Sequence, residues 1–279
     1  MPVYNGAQYI REALDSLLAQ TFTDFDLIIS DNASTDETQS ICEAYARRDP
    51  RIRYVRQIEN RGALANFQFV LDQAKGEFFM WAASDDMWDS NWIKTIYTHI
   101  GSEKGIAGFG RLSHIDEHAA ILQHPANGAE LLFSGHPLWR KLKFYLAYEG
   151  MGKANLFYAL YPRAALQGID LRGYHFDYQI LFFLLDRVAF RQIEGGGLYK
   201  RIHGECGGGA VDDVWRSPVF LAPVRVLQRD CQIATHYLGC VGLGARIVLS
   251  LLIPTKLLVA IGFHMKRGVS MLSNKFRLQ

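Results

Sequence analysis

The sequence lacks the features that mark several common classes of protein. Its four cysteines form no CxxC pair and no spacing typical of a zinc site, so we expect reduced thiols in a cytosolic compartment. No predicted strand is followed by GxGxxG, and the chain contains no GxxxxGKS or GxxxxGKT, which disfavours a nicotinamide dehydrogenase and a P-loop NTPase. The first residues contain no basic segment followed by an apolar run, so we expect no signal peptide.

An excess of charge is also lacking. The 30 basic and 28 acidic residues leave a formal net charge of +2, so we expect no nucleic acid as a partner. A hydrophobic content of 49% in 279 residues is typical of a globular protein with a substantial core, and it excludes a disordered chain. We expect one large domain, alone or with an appendage.

The sequence does contain a regular alternation of strand and helix patterns. Apolar periodicity predicts amphipathic helices at residues 10–18 and 63–74, with short strands at 26–30 and 52–55. A further helix is expected to begin from a capping box at residues 34–37. This alternation predicts βαβ crossovers and therefore an α/β fold with a parallel sheet.

An unbroken apolar run at residues 78–82 leads shortly to two adjacent carboxylates, Asp85 and Asp86. The length and aromatic content of the run predict a central strand of the parallel sheet, buried on both faces. Paired acids at the end of such a strand are well placed to hold a divalent metal on a phosphate. An Asp-rich turn that caps the helix starting near Ser90 is the alternative interpretation.

The polar residues that follow successive strands should lie close together. The carboxyl ends of parallel strands joined by βαβ crossovers emerge at the same edge of the sheet. Tyr4, Asp31 and Arg61 are therefore expected to converge with the carboxylate pair around one crevice. An aromatic face, hydrogen-bonding carboxylates, a cation and a metal site suit a nucleoside diphosphate better than a dinucleotide.

Four short motifs stand in an order and spacing that closely resemble one protein family. They are PVYNG at residues 2–6, SDNASTD at 30–36, ENRG at 59–62 and AASDD at 82–86. Together they resemble the family 2 glycosyltransferases of the GT-A fold, strongly over about residues 1 to 120 and weakly to about 205. The resemblance implies a Rossmann-like, mostly parallel sheet flanked by helices. It also implies transfer of a sugar from a nucleoside diphosphate-sugar, of the UDP or dTDP type, to an acceptor hydroxyl with inversion, using Mg²⁺ or Mn²⁺.

The same resemblance implies a role for each candidate residue. Tyr4 would pack near the base, and Asp31 would hydrogen-bond the uracil or thymine. Arg61 would lie near the nucleotide, Asp85 would serve the ribose, and Asp86 would bind the metal. A core position for Tyr4 and a solvated turn position for Arg61 are the alternatives.

Two departures from the family pattern affect the expected activity. Ser84 stands in the first position of the Asp-x-Asp triplet, which leaves the metal mainly to Asp86. The family has an apolar strand before the PVYNG motif and this chain starts at that motif, so we expect a truncated or misassigned start. A catalytically silent nucleotide-sugar-binding or scaffold protein is therefore the alternative function. A nucleotidyltransferase should show a Gly-rich basic first loop, which this chain lacks.

The second half of the chain supplies the expected catalytic base. A strand is predicted at residues 105–110, a hairpin at 112–122 and a helix within 127–150. Asp177 opens a further apolar helix, at the position where the family carries the general base that deprotonates the acceptor hydroxyl. A carboxylate that only favours the dipole of this helix is the alternative.

A basic segment at residues 199–203 lies between the glycines at 195–197 and those at 207–209. It resembles the family's flexible loop that closes over the diphosphate, and the glycines fit a flexible turn and a mobile lid that excludes water. His203 is the expected ligand of the metal or of a phosphate. A structural histidine is the alternative.

The tail follows a different pattern from the rest of the chain. We divide the chain into a GT-A domain at 1–212 and a helical tail at 213–279, with a nucleotide-sugar half at 1–110 and an acceptor half at 111–212. The tail is strongly apolar at 238–263, but charged residues and a proline interrupt it, so no 18-residue span exists.

Basic residues follow the apolar part of the tail: Lys266, Arg267, Lys275 and Arg277. We expect helices that lie on the inner face of the cell membrane, where anionic lipid attracts the cations. A membrane surface would suit a glycan or polyprenyl-linked glycan acceptor, as in the synthesis of surface polysaccharide or glycolipid. A homodimerisation segment is the alternative role of the tail.

Overall fold

Three parallel strands form the first sheet of the computed structural model, which describes residues 1–173, 177–203, 237–238 and 243–262. Strands β1 (Pro2–Val3), β2 (Leu27–Asp31) and β3 (Ile52–Arg56) pair in that order. The predicted parallel arrangement of these strands is therefore confirmed. Their carboxyl ends lie at one edge, because Val3 stands opposite Asp31 and Asp31 opposite Arg56.

The crossover helices pack on this sheet. Helix α1 (Ile10–Leu18) buries the predicted apolar stripe, and α3 (Ala63–Gln73) agrees with the expected bounds to within one residue. Helix α2 (Thr38–Arg48) has Glu37 as its N-cap residue and no side-chain capping hydrogen bond. The predicted capping box is therefore wrong. The Ser34 hydroxyl instead accepts a hydrogen bond from the backbone of the loop after β1.

The apolar run at residues 78–82 is buried as predicted, but it does not form a central parallel strand. Only β4 (Phe78–Phe79) is a strand, and it pairs antiparallel with β7 (Tyr161–Pro162). Trp81 is fully buried, where its ring stacks on Phe157 at 4.4 Å and its Nε1 donates to a backbone carbonyl of α3. The run is therefore apolar because its side chains pack in the core, although only two of its residues form a strand.

A second sheet is built around one long strand. Strand β8 (Ala189–Arg201) pairs parallel with β6 (Ile106–Ile115) and antiparallel with the short β5 (Met87–Trp88). Strand β6 is longer than the predicted 105–110, and the predicted hairpin follows it, because the residues at 115 and 121 form an antiparallel bridge.

The glycines at residues 195–197 lie inside β8, so the predicted flexible turn at this position is wrong. Helix α4 (Trp92–Ile100) packs against them, and a Cβ atom added to Gly196 would lie 3.2 Å from the Trp92 Cα. Gly197 donates its N–H to the Asp89 carboxylate at 2.8 Å. These glycines therefore allow a close approach between strand and helix.

Short helices follow the second sheet's first long strand. Helix α5 (Pro137–Leu146) is shorter than the helix predicted within 127–150, because Pro137 starts it and 3₁₀ turns follow it. Helix α6 (Asp177–Leu184) contains Asp177, and residues 174–176 before it lie outside the described residues.

The described part of the tail packs on α5. Helix α7 (Leu243–Leu251) is followed by helical residues at 253–262. The Tyr145 hydroxyl of α5 donates to the Leu249 carbonyl, and the Lys256 Nζ donates to the Tyr145 carbonyl. None of the helices in the described ranges is long and apolar enough to cross a bilayer. The predicted lid at 207–209 and the predicted boundary at 212 lie outside the described residues.

Candidate functional site

A pocket of about 600 Å³ is lined by the edge of the first sheet, by residues between 150 and 158, by α6 and by the end of β8. Its volume is in the range of sites for small molecules and cofactors. Of the candidate residues, Tyr4, Asp85 and Asp177 line it. Asp31, Arg61, Asp86 and His203 do not line it. The structure thus brings the aromatic residue, one carboxylate of the pair and the expected base to one cavity.

The loops after β1 and β2 are tied together at the rim of the pocket. The Asn5 N–H donates to the Ser34 hydroxyl at 2.9 Å, and the Asn5 side-chain oxygen accepts from the Thr35 N–H at 2.8 Å. Asn5 and Ala33 both have positive φ angles, 51° and 61°, which side-chain-bearing residues adopt rarely. This bonding holds Tyr4 at the rim with 49% of its side chain exposed, so Tyr4 is not a core residue.

Asp31 supports this rim from inside. It is fully buried, and its carboxylate accepts hydrogen bonds from the Ser34 N–H, the Tyr54 hydroxyl and the Arg56 guanidinium. These bonds fix the loop that follows β2. The role of Asp31 toward the base stays a prediction, as does that of Arg61, whose side chain is exposed and whose backbone N–H donates to the Asn32 side chain.

Side-chain amides form a wall of the pocket that the sequence analysis missed. Asn66 is buried, and its amide donates to the carbonyls of Val3 and Ser30 while its oxygen accepts from the Ser30 hydroxyl. Asn32 donates to the side-chain oxygen of Asn60 at 2.8 Å. All three Asn residues line the pocket. The sequence signal for this wall is Asn66, a polar residue on the buried face of a predicted amphipathic helix. A buried side-chain amide needs hydrogen-bond partners.

The carboxylate turn is anchored by one buried cation, Arg201 of β8. Its side chain is fully buried, its backbone N–H donates to Asp86 Oδ1 at 2.9 Å, and its Nε donates to the Asp85 carbonyl at 3.0 Å. Its other guanidinium nitrogens contact the carbonyls of Asp116 and Glu117, the carboxylate of Glu12 and the sulfur of Met87. Arg201 therefore ties the carboxylate turn to β8 through its backbone N–H and its guanidinium. Its place in a basic segment of the sequence does not predict this role.

The two carboxylates of the turn have different surroundings. Asp85 faces the pocket, and its Oδ2 lies 3.0 Å from His203 Nε2, whose ring packs on Tyr9. Asp86 is fully buried, and its Oδ2 has no hydrogen-bond partner among the residues that the structure describes. Burial raises the pKa of Asp86 to about 6, and the Lys200 ammonium, 3.8 Å from Oδ2, opposes this increase.

These residues fit a divalent metal that shares its coordination with a phosphate ligand. Within the described ranges, no group of three His, Cys, Asp or Glu side chains is arranged to hold a metal. Mg²⁺, however, is usually held by one or two carboxylates together with substrate phosphates and water. The unpartnered oxygen of Asp86 beside the pocket-facing Asp85 offers such a pair. His203 as a metal ligand stays a prediction, since its Nε2 contacts Asp85.

Asp177 of α6 also lines the pocket. Its side chain is exposed toward the cavity, which Tyr158 and Lys200 also line. The surrounding protein desolvates the carboxylate and raises the pKa of Asp177, while the Lys200 charge opposes this increase. A carboxylate whose pKa is raised is a stronger base when ionised, as general base catalysis requires.

Comparison with known proteins gives a consistent result. The family profile described as Glycosyl transferase family 2 matches residues 1–169, a range that contains all four sequence motifs. Glycosyltransferase GlyG of Streptococcus pneumoniae serotype 4 is 32% identical over 118 residues, or 42% of this chain and 39% of GlyG. Glycosyltransferase GlyA of the same organism is 33% identical over 100 residues, or 36% of this chain and 14% of GlyA. The chain thus spans less than half the length of these curated relatives.

Solved structures share the fold over nearly the whole chain. The crystal structure of S. aureus TarS 1–349 in complex with UDP matches with a TM-score of 0.52 and 15% identity, over 95% of this chain and 90% of that chain. The complex of the same protein with UDP-GlcNAc matches with a TM-score of 0.53 over the same shares. The expected GT-A-type α/β fold is therefore confirmed.

We expect Arg201→Lys to lower the free energy of unfolding by about 3 kcal/mol or more, because an ammonium cannot reproduce the contacts of the planar guanidinium. Urea denaturation measures this change. Arg111→Lys is the matched control, since the Arg111 side chain is 66% exposed, and it should change the free energy by less than about 0.5 kcal/mol. Equal small effects of the two substitutions would contradict the anchoring role of Arg201.

We also predict a pH-dependent effect of Asp86→Asn. The folded pKa of Asp86 is about 6 and the ordinary value is 3.8, so the folded state holds its proton to higher pH and the free energy of unfolding falls as pH rises between these values. The Asp86→Asn variant has no carboxylate to ionise at this position, so its free energy of unfolding does not fall for this reason. Its free energy of unfolding, relative to the wild type, should therefore rise by up to about 3 kcal/mol from about pH 4 to about pH 7.

Urea denaturation at several pH values in EDTA measures this difference. Asp26→Asn, at an exposed position, is the control and should give a difference that stays nearly constant with pH. If the difference in the free energy of unfolding between Asp86→Asn and the wild type did not change with pH, ionisation of the buried carboxylate would be excluded as a contribution to stability in this range.

Proposed function

The chain belongs to glycosyl transferase family 2, and from this premise we propose that it transfers a sugar from a nucleoside diphosphate-sugar to an acceptor hydroxyl, with inversion at the anomeric carbon. The observation that carries the proposal is the single pocket lined by Tyr4, Asp85 and Asp177. It joins the rim of the first sheet, where a nucleotide would bind, to a separate carboxylate on the acceptor side.

In the proposed mechanism, Asp177 acts as the general base. Its carboxylate takes the proton of the acceptor hydroxyl as that oxygen attacks the anomeric carbon, and the diphosphate leaves with the electron pair of the broken bond. A single displacement without a covalent nucleophile inverts the configuration at that carbon. A divalent metal held by Asp86 and Asp85 would neutralise charge that develops on the leaving diphosphate.

The donor is proposed to carry UDP or dTDP. Tyr4 at the rim offers an aromatic face for the base, and Asp31 and Arg61 belong to the loops beside it. The solved neighbour TarS was crystallised with UDP and with UDP-GlcNAc, which supports the UDP class. The first half of the chain, at 1–110, would bind the nucleotide-sugar, and residues 111–212 would complete the acceptor side.

The acceptor is proposed to be a glycan or a polyprenyl-linked glycan at the inner face of the cell membrane, within surface polysaccharide or glycolipid synthesis. Large apolar side chains are exposed on the described part of the tail and on α5: Ile247, Val248, Leu251, Leu258, Val259, Leu138 and Trp139. An exposed apolar surface followed by the basic residues of the tail suits the interface of an anionic bilayer.

Ser84 favours one second candidate, a chain that binds nucleotide-sugar without transferring it. Ser84 lines the pocket beside Asp85, at a position where a carboxylate of the triplet is expected. The loss of one charge weakens metal binding. Donor binding without transfer to any acceptor would identify this function.

We predict that Asp177→Asn abolishes most transfer and leaves donor binding intact, because the amide cannot accept the proton. Transfer from UDP- and dTDP-sugars to a glycan acceptor mixture should fall by about 10²- to 10⁴-fold. Thermal stabilisation by UDP with Mn²⁺ should remain, since Asp177 is not among the residues proposed to bind the nucleotide or the metal.

Asp24→Asn, at an exposed loop position, is the control and should leave transfer unchanged. Unchanged transfer by Asp177→Asn would exclude its role as the base. If no nucleotide stabilised the wild type, with or without Mn²⁺, the transferase proposal itself would be contradicted.

For the tail, we predict that Ile247→Glu reduces cosedimentation of the full chain with vesicles that contain anionic phosphatidylglycerol, because it places a charge on the apolar surface. Ile58→Glu introduces the same charge at another exposed isoleucine and should leave cosedimentation unchanged. Equal cosedimentation of both variants and the wild type would exclude this surface as the membrane contact. A change in oligomeric state caused only by Ile247→Glu would favour homodimerisation instead.

A further inference from the structure

One buried imidazole at the wall of the pocket has no part in the proposed function, that of His114. It belongs to β6, where it stands opposite Lys200 of β8, and it lines the pocket. Only 4% of the residue is exposed. The ring of His124, which also lines the pocket, packs on it with the two ring centroids 3.8 Å apart. The cavity wall therefore includes a polar aromatic ring that is held by the protein around it.

A neighbouring amide determines which nitrogen of this imidazole carries hydrogen. The Nδ2 of Asn127 donates to the Leu122 carbonyl at 2.7 Å, and its Oδ1 accepts from the His114 backbone N–H at 2.8 Å. Both hydrogen bonds require the same orientation of the amide, so the atom that lies 2.8 Å from His114 Nδ1 is the acceptor Oδ1. The Nδ1 atom must therefore carry the hydrogen and donate it.

The imidazole of His114 is also neutral near pH 7. Burial lowers the pKa of His114 to about 4, with a smaller contribution from the charge of Lys200, and the hydrogen bond with Asn127 opposes this decrease. A neutral imidazole with its hydrogen on Nδ1 has a lone pair on Nε2. The Nε2 atom can therefore accept a hydrogen bond but cannot donate one.

The edge of the ring that carries Nε2 is the edge available to the cavity. The Nδ1 edge contacts Asn127, which does not line the pocket. Across the ranges that the structure describes, the only side-chain hydrogen bond of His114 is this one through Nδ1. Because buried acceptors in proteins are usually paired, a donor group of a bound ligand is a suitable partner for Nε2.

The chemistry of this acceptor indicates which part of a nucleotide-sugar it can meet. An ionised phosphate oxygen has no hydrogen to donate, whereas a sugar hydroxyl has one. Side chains at paired positions of neighbouring strands lie on the same face of a sheet, so His114 shares a face with Lys200, whose Nζ lies 3.8 Å from Asp86 Oδ2. The ring therefore lies near the carboxylate turn, where the sugar would follow the diphosphate in the proposed function.

We propose that His114 accepts a hydrogen bond through Nε2 from one hydroxyl of the donor's sugar and so contributes to the choice of that sugar. This inference rests on the proposed function, because it assumes a nucleotide-sugar in this pocket. A sugar without a hydrogen-bond donor at this place would cover Nε2 and leave it unpaired, which disfavours that sugar beyond the loss of one contact. His114 is thus a specificity-determining residue, separate from those proposed to bind the nucleotide or the metal.

Calorimetric titration of the full chain in Mn²⁺ tests this role, with UDP, dTDP, the glucose conjugate of each, UDP-galactose and UDP-GlcNAc. At least one nucleotide-sugar should bind to the wild type more tightly than its nucleoside diphosphate. His114→Phe keeps an aromatic ring but has no acceptor. It should weaken binding of that nucleotide-sugar by about 3- to 10-fold and leave the affinity for the nucleoside diphosphate unchanged. His114→Gln, whose amide oxygen can replace Nε2 as an acceptor, should lose less affinity.

Deoxyfluoro analogues of the same nucleotide-sugar identify the hydroxyl, because fluorine cannot donate a hydrogen bond. The wild type should bind one of these analogues about 3- to 10-fold more weakly than the parent compound. His114→Phe should bind that analogue and the parent compound with equal affinity, since neither can form the hydrogen bond in this variant.

His118→Phe is the matched control, because it makes the same substitution at a side chain that is 83% exposed. It should change no affinity. An equal loss for the nucleotide-sugar and the nucleoside diphosphate in His114→Phe would overturn the role of His114. Unchanged affinity for every nucleotide-sugar, or a sugar that adds no affinity in the wild type, would also overturn it while leaving the proposed function standing. If no nucleotide bound to the wild type, both proposals would be overturned.

Discussion

The buried guanidinium of Arg201 is the constraint on which the arrangement of the site depends. A charge without contact with water must have its hydrogen-bonding groups satisfied, or folding becomes unfavourable by several kcal/mol. The partners of Arg201 come from the carboxylate turn, from the hairpin after β6 and from Glu12 of α1. Satisfying one side chain therefore brings segments from three parts of the chain to the same point.

In the site, residues that are adjacent in sequence therefore have different roles. The guanidinium of Arg201 is fully buried and its backbone N–H holds Asp86, whereas the side chain of the neighbouring Lys200 is 27% exposed. Likewise Asp86 is buried while Asp85 faces the cavity. Each pair combines one residue that fixes the backbone with one that can meet a ligand.

The rim of the pocket follows a similar principle. Asp31, Ser34 and Asn66 form hydrogen bonds with loops and strand ends, and these bonds hold Tyr4 at the edge of the pocket. Rigid support of this kind reduces the conformational entropy that binding of a ligand would have to fix.

Much of this fold could be predicted from the sequence, because local patterns report burial and local geometry. The apolar stripe of α1 and the three parallel strands follow from periodicity and turn chemistry. The four motifs identified the family. Of the candidate residues, Tyr4, Asp85 and Asp177 line one pocket, and the others do not.

Only the tertiary structure decided which buried segment pairs with which. Periodicity shows that the run at residues 78–82 is buried, but not that Trp81 packs against an aromatic ring while a two-residue strand pairs antiparallel. The glycines at 195–197 resemble a turn until a tryptophan of α4 is seen against them. Arg201 bonds residues more than a hundred positions away in sequence. The chain alone determines what each residue can do, whereas long-range packing determines which partner it meets.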